Sequence, residues 1–122
     1  SDSSFARYAT SIETVLYYVV RNRFLARAIS LGASLCSRLL SGVGFSAMSP
    51  IRFRKNIPVP VLLFHGQSDV LVPFDSVREL FDLRAHPGDE TVVVPDSPHI
   101  GAYFYAPDVY MDAIRNLYRR TR

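Results

Sequence analysis

Asp69 and His99 are the two residues of this 122-residue chain whose types could do acid–base chemistry together. A carboxylate that accepts the Nδ1 proton of an imidazole fixes its tautomer and stabilises the imidazolium, leaving Nε2 as a general base. Such a pair is two thirds of a hydrolytic triad. An interval of 30 residues says nothing about contact, so the pair depends on the elements that carry each member. The other candidates have plainer readings. His65 precedes a turn glycine and reads as a hydrogen-bonded structural residue, and His86 lies in a turn on the opposite sheet edge, where it should be solvated. Cys36 alone excludes an intrachain disulfide and suits a reducing compartment; its place on an apolar helical face makes it buried filler. No His, Cys, Asp and Glu cluster has zinc spacing and no glycine-rich phosphate loop occurs, so no cofactor or metal is expected.

The positioning elements are legible from apolar patterning. Val59 and the run from Val61 to Phe64 lack alternation and predict a strand buried on both faces, with Pro60 at its start where a missing N–H costs least. Gly66 lets the backbone turn, so Asp69 falls just past the carboxyl end of the strand, where α/β sheets put their sites. Ser76 with Glu79 makes a capping box for a short helix carrying Val77, Leu80 and Phe81. After a turn over 85–89, Thr91-Val92-Val93-Val94 predicts a second buried strand ended by Pro95. Strand, helix, strand is a right-handed parallel crossover, which makes the strands neighbours about 5 Å apart and opens both following loops on one edge. Asp69 and His99 would then meet.

The flanks are helical. Phe5, Tyr8, Ile12, Val15, Leu16 and Val19 draw one apolar stripe; Arg21-Asn22-Arg23 interrupts it; Leu25, Ala28, Ile29, Gly32, Leu35, Cys36, Leu39 and Leu40 draw another, capped by Gly42 or Gly44. The two stripes predict a hairpin whose apolar side is packing surface. Residues 45–58, with Ser49-Pro50 and Ile57-Pro58, read as a connecting loop. Ala106-Pro107-Asp108 starts a last helix through Tyr110, Ala113, Ile114, Leu117 and Tyr118. The fold class is α/β, divided into a helical hairpin over 1–44, a loop over 45–58 and a strand-helix-strand-helix part over 59–122.

Composition excludes some classes. With 48% hydrophobic and 20% charged residues the chain is ordinary globular material, long enough for one domain. The net charge of +3 comes almost wholly from arginine, Lys55 being the one lysine among 14 basic residues. The clusters Arg52-Phe53-Arg54-Lys55 and Arg119-Arg120-Thr121-Arg122 lie on no nucleic-acid motif and read as solvated basic faces. No apolar run approaches the roughly 18 residues of a membrane span, and Ser-Asp-Ser-Ser-Phe lacks a signal-peptide layout. The expectation is a soluble, cytoplasmic chain with no nucleic-acid and no membrane partner.

His65-Gly66-Gln67-Ser68-Asp69-Val70-Leu71-Val72-Pro73, preceded by Pro60-Val61-Leu62-Leu63-Phe64, resembles the late strand and acid turn of the α/β-hydrolase superfamily, especially its serine esterase, lipase and peptidase-like branches. Ser97-Pro98-His99-Ile100-Gly101 resembles the histidine loop, although Pro98 stands where a small residue is more usual. The resemblance is specific over most of 44–118 and only positional over the helices, which would be a cap. It implies Asp69 as triad acid and His99 as general base. The family's nucleophile sits in Gly-x-Ser-x-Gly on a strand-to-helix elbow. That motif is absent: Gly44-Phe45-Ser46-Ala47-Met48 has a glycine on one side only and follows a helix, and Gly32-Ala33-Ser34 is inside one.

The resulting expectation is the C-terminal portion of a serine hydrolase for esters, thioesters or amides, inactive alone for lack of a nucleophile. Two buried strands with open edges are marginal and sticky by themselves. A homodimer or higher oligomer completing the sheet is therefore expected, unless a separate N-terminal half supplies it, and only a completed site would take a small ester or amide. The alternative is a non-catalytic, self-associating module or remnant with a hydrolase-like fold.

Overall fold

A computed structural model describes every residue except Lys55, Arg84 and Ala85, so the last member of the first basic cluster and the start of the 85–89 turn lie outside the described residues. In chain order the elements are α1 (Tyr8–Val20), α2 (Arg23–Ser41), the one-turn α3 (Ile51–Arg54), β1 (Leu62–Gly66), α4 (Phe74–Asp82), β2 (Glu90–Val94), the one-turn α5 (Ala102–Tyr105) and α6 (Pro107–Arg120). α3 lies inside the segment expected to be loop.

β1 and β2 pair in parallel, from Leu62 opposite Glu90 to Gly66 opposite Val94, so the chain is a mixed α/β structure with a parallel pair. All five residues of β1 are buried. Side chains alternate across a strand, so β1 feeds two cores. Leu62 and Phe64 meet Val94, Ala102 and Ala113 beneath α5 and α6, and Leu63 meets Ala6, Val77 and Leu80 beside α4. Phe64 also stacks on Tyr110 of α6 with ring centroids 3.9 Å apart.

Three strand expectations need correction. β1 starts at Leu62 rather than Val59, because the Val61 N–H leaves the ladder for the Asp89 carboxylate at 2.8 Å. β2 is not buried on both faces: only Val94 is buried and Val93 is 42% exposed, since β2 has no strand on its outer side among the described residues. The outer edge of β1, in contrast, is covered. Residues 1–3 run parallel to it, with the Phe64 N–H donating to Ser1 O (2.7 Å) and the Ser3 N–H to Phe64 O (2.9 Å).

Arg54 is not part of a solvated basic face. It is 3% exposed, with Nη2 2.6 Å from Asp89 Oδ2 and Nε donating to Leu80 O at 3.2 Å. Asp89 also accepts from the backbone of Val61 and His86. Burial pushes the Asp89 carboxyl up, but the Val61 N–H, the Arg54 guanidinium and the His86 N–H together hold it below the ordinary carboxylate value. One buried pair thus ties α3, α4 and the entries to both strands. His86 is half-buried rather than solvated, its Nδ1 accepting from the Gly88 N–H at 3.1 Å. The expected capping box is absent. The chain enters α4 directly from Pro73 with no side-chain cap, Ser76 is buried, and Glu79 pairs with Arg7 at 2.6 Å.

α1 and α2 form the expected hairpin. Arg21 turns the chain in a left-handed conformation (φ 59°), the Asn22 side chain accepts from the Leu25 N–H, and Gly42 (φ 75°) closes α2. The α2 stripe, however, faces outward. Ala26 and Ser30 are its buried residues, Ser34 Oγ accepts from the Phe45 N–H and Ser37 Oγ donates to Val43 O. Small side chains let α2 approach the rest of the chain, so its large ones point away. Leu25, Ile29, Leu31, Leu35, Leu39 and Leu40 are exposed, and Cys36 is exposed rather than buried filler.

Candidate active site

The crossover brings Asp69 and His99 together. His99 Nδ1 lies 2.9 Å from Asp69 Oδ2, with the Asp69 side chain fully buried and that of His99 30% exposed. The other carboxylate oxygen, Oδ1, accepts the N–H groups of Leu71 and Val72, each at 2.9 Å. An Asp that receives backbone N–H groups two and three residues ahead folds its own loop into a turn. Here that turn leaves one oxygen for the imidazole. Burial pushes the Asp69 carboxyl up, but the Val72 N–H, the His99 imidazole and the Leu71 N–H outweigh it and hold it below the ordinary value. The group is a carboxylate at neutral pH.

The loop carrying His99 is held from three sides. The Gln67 N–H donates to Val94 O (2.9 Å) and the Ser68 N–H to Ser97 O (3.0 Å), which stitches the loops after β1 and β2 into one unit. Gly66 permits this approach, since a Cβ there would stand 2.2 Å from Ser97 O. Asp96 (φ 56°) and Ile100 (φ 55°) adopt left-handed backbone on either side of His99. The Ile100 N–H donates to Ser3 Oγ at 2.9 Å, and Ser3 itself is 4% exposed with φ 52°. Ser3 escaped the sequence reading because it lies 97 residues from Ile100, and no local pattern signals such a partner.

His65 is the buried structural residue expected, 1% exposed and packed 5.6 Å from the Phe74 ring. Neither ring nitrogen makes a hydrogen bond of good geometry, and the polar group nearest to serving as a partner is the Val72 backbone. Burial holds its pKa below the ordinary value against the pull of Asp69 and Asp2. No serine hydroxyl hydrogen-bonds His99 among the described residues. Ser46 is exposed in the 45–48 turn, and the hydroxyls of Ser34 and Ser49 are engaged with the Phe45 backbone. A cleft of about 420 Å³, lined by Thr10, Glu13, Tyr17, Arg23, Arg27 and Pro73 among others, lies between the hairpin helices and is not centred on the pair.

These shifts set the acid response. His65 has a folded pKa below its unfolded value, so its stabilising contribution is present above about pH 6.5 and fades as pH falls below it. Asp69 and Asp89 also have lowered folded values, so the unfolded chain binds more protons through the acid range and stability drops again below about pH 4. A urea midpoint measured against pH should fall in these two stages, with His65→Phe removing the upper one. A midpoint that rises on acidification would contradict the assignment.

No protein-family model matches the chain, and no solved structure matches it. It is similar to the uncharacterized protein YfhR of Salmonella typhi, 29% identical over 103 residues that make up 80% of this chain and 35% of that protein. The uncharacterized protein YfhR of Salmonella typhimurium is 30% identical over 88 residues, 67% of this chain and 30% of the relative. That of Escherichia coli is 27% identical over 75 residues, 58% of this chain and 26% of the relative. The chain spans about a third of the length of the curated relatives it matches.

Proposed function

We propose that this chain is the acid–base portion of an α/β-hydrolase-type serine hydrolase acting on an ester, thioester or amide, with its nucleophile on a segment outside these 122 residues. The observation that carries the reading is the 2.9 Å contact between His99 Nδ1 and a buried Asp69 carboxylate that keeps one oxygen for it. In that role Asp69 holds the Nδ1–H tautomer, and Nε2 takes the proton of a serine hydroxyl as its oxygen attacks the carbonyl carbon. The imidazolium, stabilised by Asp69, then returns the proton to the departing alcohol, thiol or amine. The half-exposed face of His99 suits this exchange.

Two outcomes test the reading. The chain alone should give no adduct with a fluorophosphonate probe by intact mass, because no serine hydroxyl hydrogen-bonds His99 among the described residues. A chimera in which this chain replaces the matching third of the Salmonella typhi relative should label on one serine outside the graft, and His99→Ala should slow labelling on the order of 10⁴-fold. A folded chimera that stays unlabelled would leave the pair as structure only. A stoichiometric adduct on the isolated chain would show that it builds its own triad.

A further inference from the structure

We propose that the α1–α2 hairpin seats this chain on the surface of an anionic lipid bilayer, with α2 lying in the plane of the interface. α2 is built inside out. Its Ala26 and Ser30 are buried, while Phe24 is 90% exposed, Leu31 60%, Leu35 58%, Leu39 75% and Leu40 89%. At 100° per residue Phe24, Leu31, Leu35 and Leu39 share the half of the helix opposite Ala26 and Ser30, an apolar face far too broad for water alone, while Leu40 is exposed at the C-terminal end of α2 on the Ala26 side.

The charge pattern says what covers it. No acidic residue occurs between Glu13 and Asp69, a stretch holding Arg21, Arg23, Arg27, Arg38, Arg52, Arg54 and Lys55. Arg54 is neutralised by Asp89, but Arg23, Arg27 and Arg38 of α2 are exposed. Helical spacing puts Arg27 and Arg38 at one border of the apolar face, where long side chains reach phosphate oxygens while leucines enter the acyl boundary. At the hairpin tip Tyr18 (57% exposed) and Val19 (74%) are open to solvent as well. A second copy fits less well: two such faces would bring arginine onto arginine with no carboxylate in either. By length and composition α2 could cross a membrane. Its three arginines and the serine side hydrogen-bonded to residues 43–45 favour lying in the interface instead. This inference departs from the expectation of no membrane partner and is independent of the hydrolase reading.

The test is flotation of the full 122-residue chain with phosphatidylcholine vesicles made with and without phosphatidylglycerol. The chain should float with the anionic vesicles, less so as salt rises. Leu35→Glu with Leu39→Glu should abolish flotation, and Arg27→Gln with Arg38→Gln should weaken it on the order of tenfold. These positions are exposed, so far-ultraviolet circular dichroism should stay unchanged in both variants. Folded protein that does not float, or that floats equally after Leu35→Glu with Leu39→Glu, would overturn the proposal. So would a dimer in sedimentation velocity that those two substitutions dissociate while vesicles are ignored, since the face would then belong to a second copy.

Discussion

Arg54→Ala is expected to destabilise the fold by about 3–5 kcal/mol, because it leaves a carboxylate buried without its cation. The two side chains are 4% and 2% exposed and 2.6 Å apart, so the pair is desolvated. Removing the guanidinium also strips the Leu80 carbonyl of its Nε–H donor. Against a total stability of about 5–15 kcal/mol for a small domain, such a loss leaves little margin. Asp89→Asn should cost less, since an amide oxygen can still accept the Val61 N–H and the cation left behind keeps one carbonyl. Urea denaturation of the three proteins gives the ranking. A change below about 1 kcal/mol in Arg54→Ala would put the pair in the class of solvent-screened surface bridges.

Gly66→Ala has the next largest expected effect, and it acts on the candidate site directly. An added Cβ would stand 2.2 Å from Ser97 O, 2.6 Å from Pro98 O and 2.8 Å from Ser97 C. These are backbone atoms that no rotamer change can move. The loop of His99 must shift away from the end of β1, at a cost of about 3 kcal/mol or more. The shift should pull the imidazole from Asp69, so the low-field Nδ1–H proton resonance expected for the native pair should vanish. Gly32→Ala is the control: nothing lies within 4 Å of its added Cβ, and an alanine within a helix should leave the fold intact or gain about 1 kcal/mol. Retention of that resonance at full intensity in Gly66→Ala would show that the two loops are not interlocked as described.

Much of the site was legible because its determinants are local. Solid apolar runs marked β1 and β2, Gly66 marked the turn, and parallel pairing follows from a strand-helix-strand order, so the meeting of Asp69 with His99 could be anticipated. The capping box was misread because α4 already runs from Phe74, which puts Ser76 inside the helix rather than at its N-cap, while Glu79 pairs with Arg7, 72 residues away. α4 could begin at Pro73 without it.

The amino-acid pattern by itself determined the α/β class, the crossover, the hairpin and the identity of the two residues that could share a proton. Each depends on periodicity or turn chemistry within a few residues. Only the tertiary structure decided that Arg54 is buried on Asp89, that Ser3 holds the His99 loop, that residues 1–3 cover the edge of β1, and that the leucines of α2 face outward. The physical reason is common to all four. An apolar stripe or a charged side chain states what it would gain from burial or pairing, but which surface arrives to meet it depends on chain segments tens of residues away.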